Sequence, residues 1–373
     1  MSFSTESQTE LARLRDELKR GTSIISLSGL TSIAAKAFVL SELQTQTKKP
    51  FVIVADTNKE LEKWYCDLDF FQSKIRNTES EILTLPSFES DVYSGVSPHA
   101  ETQEERALTL WRLTNHAPNF LIVSAKALIT KIIAPAEMKN LGADLKRDED
   151  FAPEELIEKL FACGYVREEP LKNIGEFSVR GGIIDVWSPT NENPVRLEFF
   201  GDTIDSIREF DAETQLSVGQ LKEISVAPMR EFSATAKDFK DWTFFAEERF
   251  ADEKYARNLK DRTQFAVEGE TFPGWEFLIL LVNPRSASVF DYLKDAIFII
   301  DEPSIIEQTL TAFYETVERR HNEISEADDI GLEPSELFLE GEVLREKIGS
   351  KPRIELRALG RAAARTDEEF QVL

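Results

Sequence analysis

The stretch SLSGLTSIAAKAF, Ser26 to Phe38, joins a strand-like apolar run to a helical pattern through a single glycine. This is the layout of a phosphate-binding loop, whose backbone N–H groups and lysine hold the phosphates of a nucleotide. A working loop ends in Gly-Lys followed by Ser or Thr. Counted from Gly29, those three positions hold Ala34, Ala35 and Lys36. Because the lysine is one place late, it is turned by about 100° around the helix. We therefore expect a degenerate phosphate loop that holds no nucleotide.

A second segment has the shape of the magnesium-binding strand of a nucleotide hydrolase. The apolar run Ile297 to Ile300 ends in Asp301 and Glu302. In an active enzyme such acids hold magnesium and orient water, but buried strands also end in acidic, solvated loops. Without a competent phosphate loop, the solvated strand end is the favoured interpretation. Together the two segments suggest an ATPase ancestry from which the chemistry has been removed.

Composition limits the class of protein. The 373 residues are 42% hydrophobic and 30% charged, as in ordinary soluble globular proteins. The sequence contains two distant cysteines and begins without an apolar signal segment, which favours a reducing cytoplasm. Two cysteines and three histidines make a structural zinc site improbable. The net charge of −24 argues against a stand-alone DNA binder and for protein partners, because DNA binding needs lysines and arginines that neutralise phosphates.

Strands alternate with helices in the first third of the chain and again after about residue 227, which predicts an α/β fold with a parallel sheet. An amphipathic N-terminal helix carries Leu11, Leu14 and Leu18 on one face. A second helix is predicted from Thr102 to Asn115, with Thr102 as its cap, and a long one follows Ser304. The predicted strands are Phe51–Asp56, Glu81–Pro86, Asn119–Ala125, Trp275–Asn283 and Asp295–Ser304.

The pattern changes near residue 140, where two-residue alternation predicts an inserted, mainly antiparallel β domain. Gly201-Asp202 fits a two-residue hairpin turn, and Gly181 with Gly182 is expected to serve backbone geometry, such as a bulge beside Arg180. The expected segments are 1–138 and 229–335 for the two parts of the α/β domain, 139–228 for the inserted domain, and 336–373 for a basic tail or linker. The basic side chains of that tail are Arg345, Lys347, Lys351, Arg353, Arg357, Arg361 and Arg365.

Three stretches of the sequence carry a resemblance to a known family. They are PSFESDVYSGVSPHAETQEERALTLWRL from Pro86, GEFSVRGGIIDVWSP from Gly175 and PVRLEFFGDTIDSIREFD from Pro194. They resemble the N-terminal, UvrB-like module of the bacterial transcription-repair coupling factor (Mfd) family, over about Gly21 to Leu339. The resemblance to UvrB itself is weaker, because UvrB has a working Gly-x-Thr-Gly-Ser-Gly-Lys-Thr loop and this chain does not.

The resemblance implies a degenerate helicase-like α/β domain interrupted by a domain that binds the damage-recognition protein UvrA. It also implies that the family's motor and RNA polymerase-binding domain lie further along a longer chain. We therefore expect no catalytic residue, no metal and no cofactor here, since ATP and magnesium would serve the missing motor. RNA polymerase and DNA would be contacted only through missing domains, and a C-terminal domain of the family would cover the UvrA-binding face. The expected location is the bacterial cytoplasm, without membrane association.

The expected partner-binding residues lie on two strands of the inserted domain. By motif, the UvrA-contacting residues of the family fall on Arg180, Arg196 and Phe200. Alternation in the second strand places Glu198 on the same face as Arg196 and Phe200. If the apolar faces pack inward, these four side chains face solvent. Aromatic and arginine side chains on a rigid sheet have the composition of a protein-binding hot spot.

Other residues of this domain are assigned less narrowly. Arg208 and Glu209 in the following strand are candidates for rim contacts. Asp185 lies inside a strand, where it could pair with an arginine or equally be a surface acid.

Two further functions compete with a docking module. One is a UvrB-like, ATP-dependent DNA-damage-binding helicase core, which the residues Ala34, Ala35 and Lys36 argue against. The other is a DNA-binding or damage-sensing module. UvrB clamps DNA with an aromatic-rich hairpin, whereas this sequence shows no comparable tyrosine cluster and carries a net charge of −24.

Overall fold

Two sheets organise the protein, a large parallel sheet and a smaller, mainly antiparallel one. The computed structural model describes residues 5–47, 49–75, 81–358 and 369–372. The strands are β1 (Ile24–Ser28), β2 (Phe51–Ala55), β3 (Ile82–Leu85), β4 (Phe120–Ser124), β5 (Ala143–Lys146), β6 (Val166–Arg167), β7 (Glu176–Arg180), β8 (Ile183–Val186), β9 (Val195–Phe200), β10 (Thr203–Phe210), β11 (Ser217–Leu221), β12 (Glu223–Val226), β13 (Ile297–Asp301), β14 (Arg353–Arg357) and β15 (Glu369–Val372).

Helices cover both faces of the large sheet and the inner face of the small one. The α-helices are α1 (Thr5–Arg20), α2 (Ile33–Thr47), α3 (Asn58–Asp69), α4 (Ala100–Asn115), α5 (Ala125–Ile129), α6 (Pro135–Leu141), α7 (Pro153–Ala162), α8 (Ala236–Arg249), α9 (Ala256–Ala266), α10 (Trp275–Leu278), α11 (Val289–Tyr292), α12 (Pro303–Glu326), α13 (Pro334–Leu337) and α14 (Gly341–Gly349). A π-helical segment, Phe70–Ile75, continues α3, and 3₁₀ turns occupy Glu253–Tyr255 and Ile279–Leu281.

The large sheet has the strand order β15-β1-β14-β13-β2-β4-β3, and every neighbouring pair is parallel. Strands β2 and β4 are buried along their whole length, as expected of strands covered by helices on both faces. Alternate residues of one strand enter different apolar clusters, since Val52 packs on one face and Phe51 on the other. This architecture confirms the predicted α/β class.

The small sheet has the order β11-β10-β9-β8-β7-β6 and is antiparallel except between β6 and β7. Its inner face packs against α7 in a cluster that includes Leu156, Phe177 and Leu197. Strands β5 and β12 pair with each other in a separate two-stranded sheet, so the chain enters and leaves the small sheet at the same place. The predicted antiparallel β architecture is therefore confirmed, while the exact limits of the four segments stay predictions.

One predicted strand is wrong. Trp275–Asn283 forms α10 and the 3₁₀ turn Ile279–Leu281. Every residue from Trp275 to Leu280 is buried. A short, continuous apolar run fits a buried helical turn as well as a buried strand, so its period could not separate the two.

The start of α4 also differs from the prediction. The helix begins at Ala100 after His99, so Thr102 lies inside the first turn and is not the cap. The side-chain amide of Gln103 donates to the carbonyl oxygen of Pro98 at 2.9 Å, which holds the chain against this first turn. The helix therefore starts two residues before the Thr-to-Glu spacing indicated.

Gly181 and Gly182 form the two-residue turn between β7 and β8, so their predicted backbone role is confirmed, as a turn and not as a bulge. Gly181 has a φ of 60°, in the left-handed region that favours glycine. A Cβ on Gly182 would lie 3.0 Å from the carbonyl oxygen of Phe199. The pair of glycines is thus required by the tight turn, and the register shifts of the sheet lie in β10 instead.

The basic segment near the end of the chain contributes a strand to the large sheet. Strand β14 lies between β1 and β13, with Ile354 and Leu356 fully buried. The arginines at both ends of this strand pair with Glu355. The predicted tail or linker is therefore wrong for Arg353–Arg357, because strand alternation buries every second residue. Arg361 and Arg365 lie outside the described residues.

Candidate functional site

The face of the small sheet that is turned away from α7 carries all four predicted docking residues. Strand register places Asp185 of β8 opposite Arg196 of β9, and Arg196 opposite Arg208 of β10. Residues two places along each strand share this face. We call it the outer face and define it by Arg180, Asp185, Arg196, Glu198, Phe200 and Arg208.

Phe200 is the exposed aromatic residue of the outer face. It ends β9, next to the Gly201-Asp202 turn that was predicted and is present. Its exposed fraction is 84%, the highest among the large hydrophobic side chains in the described ranges. The preceding residue, Phe199, is only partly exposed and packs against the core cluster of the small sheet. The predicted exposure of Phe200 is confirmed.

Arg196 is held in place by Asp185. Its Nε donates to Oδ1 at 2.7 Å and its Nη2 donates to Oδ2 at 2.8 Å, a bidentate pair. The guanidinium also lies over the ring of Phe210, 4.7 Å from its centroid. Hydrogen bonding to Asp185 raises the pKa of Arg196 above its ordinary value, against the opposing effect of burial. Of the two interpretations left open for Asp185, pairing with an arginine is confirmed.

Arg180 is more exposed than Arg196 and has two acidic neighbours. Its Nε lies 2.9 Å from Oε1 of Glu169, and its Nη2 lies 3.9 Å from Oδ2 of Asp185. Asp185 is thus approached by arginines from the strands on both of its sides. Arg180 keeps about half of its side chain in solvent, since its exposed fraction is 47%.

Glu198 is paired within the sheet and is only partly exposed. It forms an ion pair with Arg208 and accepts a hydrogen bond from the hydroxyl of Ser206 at 2.7 Å. Glu209, the other candidate for a rim contact, lies opposite Val195, which packs in the core cluster. By alternation Glu209 belongs to the other face of β10, so it does not share the outer face with Arg208.

The charges near the outer face cancel. The three arginines Arg180, Arg196 and Arg208 are matched by the carboxylates of Glu169, Asp185 and Glu198. Sequence reasoning expected arginines free for a partner, whereas the structure pairs each of them. Glu169 lies outside the two strands from which the site was predicted, so strand alternation gave no signal for its contact.

Groups of the protein itself accept hydrogen bonds from the degenerate phosphate loop and from the start of α2. Gly29 has a φ of 89°, and its N–H donates to the carbonyl oxygen of Arg357 at 3.1 Å. The Ser32 hydroxyl oxygen accepts the N–H of Ala35 at 3.2 Å. Two backbone N–H groups at the position of a phosphate loop are thus engaged within the chain. Ala34 adds a methyl group at the same end of the helix.

Lys36 points into the protein and meets the acids at the end of β13. Its ammonium nitrogen lies 2.6 Å from Oδ1 of Asp301 and 2.8 Å from Oε1 of Glu302. Only 4% of Lys36 and 6% of Asp301 is exposed. Burial alone would lower the pKa of Lys36, but the hydrogen bonds and negative charges of the two acids raise it above its ordinary value. Lys36 is therefore the internal counter-ion of the strand end.

The favoured interpretation of Asp301 and Glu302 as a solvated strand end is wrong. Asp301 also accepts the indole N–H of Trp64 at 3.1 Å, and Glu302 accepts the backbone N–H of Ala358 at 2.8 Å. Two carboxylates that would hold magnesium in a hydrolase are neutralised here by a lysine from the same fold. The ion pairs occupy the two carboxylates at the carboxyl end of β13, so these are not free to bind a metal ion.

The described ranges contain no metal cluster, no membrane-spanning helix and no disulfide. No group of three or more His, Cys, Asp or Glu side chains in those ranges is arranged to hold a metal ion. In the same ranges, none of the helices combines the length and apolar character needed to cross a membrane. Cys66 and Cys163 are free thiols, so neither forms a disulfide.

The region that carries the outer face matches a family model. Residues 143–232 match the UvrB interaction domain. The matched range begins at β5 and ends just after β12, so it contains the complete small sheet.

Similarity to named proteins extends over most of the chain. A transcription-repair-coupling factor of Myxococcus xanthus is 32% identical over 350 residues, which is 91% of this chain and 29% of that protein. Those of Haemophilus influenzae and Bacillus subtilis are 25% and 30% identical, over 87% and 76% of this chain and 28% and 24% of their own lengths. The chain thus spans less than a third of the length of the curated relatives it matches.

Proposed function

Because this chain belongs to the transcription-repair-coupling factor family, we propose that it is a docking module for UvrA in transcription-coupled nucleotide excision repair. In the whole protein, such a module would bring UvrA to a stalled RNA polymerase. Contacts with polymerase and DNA, and ATP-driven movement, belong in this proposal to the parts of the relatives that the chain does not span.

The observation that carries this proposal is the exposure of Phe200 beside paired arginines. An aromatic ring that is 84% exposed presents a large apolar surface to water. A partner that covers this surface gains the free energy of removing it from water. Hot spots combine such rings with arginines and lie on rigid supports. The antiparallel strands β8, β9 and β10 supply that support.

The ion pairs of the outer face also favour a protein partner over DNA. DNA binding depends on lysines and arginines that are free to replace counterions at phosphates. On the outer face Arg196 and Arg208 are already matched by carboxylates of their own sheet. A partner that combines an apolar pocket with polar groups fits this surface better than a polyanion does.

We propose further that this chain alone does not hydrolyse ATP and needs no cofactor. The support for this comes from Lys36, which occupies the acids that would otherwise hold magnesium. The alternative, a UvrB-like helicase core, requires those acids and the loop to be free for a nucleotide and its metal.

The proposal is tested by calorimetric titration of UvrA into the purified chain and two variants. Phe200→Ala is expected to weaken binding by roughly 1–4 kcal/mol, the range for interface hot spots. The matched control is Phe244→Ala on α8, which also removes an exposed phenylalanine but lies outside the UvrB interaction domain. Equal affinity of both variants and the wild type would exclude Phe200 from the docking surface.

A further inference from the structure

A buried carboxylate lies at the centre of the outer face. Asp185 exposes only 3% of its side chain, although it belongs to the face that is turned away from the core cluster. The arginines of the two neighbouring strands cover it. Arg196 contacts both of its oxygens, at 2.7 and 2.8 Å, and Arg180 approaches to 3.9 Å from the other side.

A carboxylate is an unfavourable choice for this position on stability grounds alone. Removing its charge from water is costly, and a buried ion pair rarely stabilises a fold more than apolar side chains of similar volume. Ile183, two residues earlier in the same strand, places an apolar side chain on the same face. The specific contribution of Asp185 is therefore the geometry that it imposes on its arginines.

That geometry fixes the guanidinium of Arg196. Asp185 takes its Nε and Nη2, and the ring of Phe210 lies against the guanidinium plane. An arginine held on one edge and one face keeps few rotamers. Its Nη2 also lies 3.5 Å from Oε1 of Gln215. The bidentate pair does not use Nη1, so this group remains a donor whose direction is set by the fixed guanidinium.

We propose that Asp185 is a positioning residue, which orders Arg196 before the partner arrives. The inference rests on the proposed function, since it concerns the same docking surface. Ordering in advance removes an entropic cost of binding, because a rotamer-rich side chain that is already fixed loses little freedom at the interface. Asp185 itself need not touch the partner.

The test begins with Asp185→Asn, which keeps the shape of the side chain and removes its charge. The matched control is Asp205→Asn, which makes the same change at an exposed position of the neighbouring strand β10. UvrA affinity is expected to fall up to roughly tenfold for Asp185→Asn, from the ordering cost of Arg196. It is expected to stay at the wild-type value for Asp205→Asn.

A double-mutant cycle separates positioning from a merely structural effect. In the background of Arg196→Ala, Asp185→Asn is expected to cause little or no further loss of affinity, because the side chain that it positions is absent. A loss of equal size with and without Arg196 would overturn the proposal, as would wild-type affinity of Asp185→Asn. Circular dichroism checks that each variant is folded. If Asp185→Asn does not fold, Asp185→Glu, which keeps the charge but moves the carboxylate, replaces it in the cycle.

A measurement without UvrA tests positioning by itself. In the wild type, the Nε–H proton of Arg196 is expected to give a sharp, slowly exchanging NMR signal, which Asp185→Asn broadens or removes. An unchanged signal in the variant would overturn the positioning role. Absence of UvrA binding by the wild type would instead overturn the proposed function, while the NMR comparison would still decide whether Asp185 orders Arg196.

Discussion

The ammonium nitrogen of Lys36 lies 2.6 Å from Oδ1 of Asp301, so a buried ion pair joins residues 265 positions apart in the sequence. It links the first helix after the degenerate phosphate loop to the strand that would carry the metal ligands of a hydrolase. The same two segments that suggest an ATPase ancestry are thus tied together by their own charges.

Replacing Lys36 by methionine is expected to lower the free energy of unfolding by roughly 3 kcal/mol, because it leaves buried acids without their counter-ion. Chemical denaturation measures the change. Lys49→Met is the matched control, since Lys49 pairs with Asp295 on the surface, where both side chains are well exposed. The control is expected to change stability by less than about 1 kcal/mol. Equal effects of the two substitutions would show that the buried pair contributes no more to the free energy of unfolding than the exposed pair does.

The stabilisation by Lys36 is expected to be lost at alkaline pH. Its pKa is raised in the folded state, so its contribution is fully present below the unfolded-state pKa of about 10.4. The contribution is lost as pH rises through the higher folded-state pKa. The difference in unfolding free energy between wild type and Lys36→Met should therefore shrink above about pH 10. A difference that shrinks between pH 6 and 9 would contradict this assignment.

Millimolar ATP with magnesium is expected to leave the melting temperature of the chain unchanged, because a ligand stabilises only a protein that binds it. Hydrolysis assays on the same preparation should show no turnover above buffer. A rise of melting temperature with ATP and magnesium, or turnover that survives further purification, would show that the Lys36 site opens to nucleotide.

Two substitutions on the outer face are expected to differ in their effect on folding. Arg196→Ala leaves Asp185 buried without its bidentate partner and should cost roughly 3 kcal/mol of stability. Phe200→Ala removes an exposed ring and should change stability by less than about 0.5 kcal/mol. Thermal and chemical unfolding of both variants measure this. Equal stabilities would mean that the Arg196–Asp185 pair is not formed in solution.

This difference corrects an expectation from sequence. Strand alternation alone places Arg196 and Phe200 on the same exposed face, from which one would expect that either can be replaced with little effect on folding. The structure separates them, because Arg196 has a buried acid opposite it on the neighbouring strand and Phe200 does not. Pairing between strands depends on register, which alternation within one strand does not determine.

Continuous apolar strands with acidic or polar ends were predictable from sequence. The runs that became β2, β4 and β13 are long enough and β-branched enough to indicate buried parallel strands. The same reasoning failed for Trp275–Asn283, where a similarly apolar run forms helical turns. Neither local composition nor period distinguishes a buried strand from a buried helical turn of this length.

The direction of Lys36 was predictable from the sequence, but its ion-pair partners were not. Register along α2 indicated that the lysine is turned away from a phosphate site, and the structure places it in the interior. Its two acidic partners were also noticed, but as a solvated strand end. The contact between Lys36 and these acids depends on the order of strands in the large sheet, where β14 separates β13 from β1. Nothing in either segment alone specifies that order.

Site-specific photo-crosslinking tests the central claim most directly. Phe200 is replaced by photoreactive p-benzoylphenylalanine, and the chain is irradiated with UvrA; the same replacement at Phe244 is the control. We expect a covalent adduct with UvrA from position 200 and none from position 244. Adducts from position 244 but not from position 200 would contradict the account, because UvrA would then bind a surface other than the outer face.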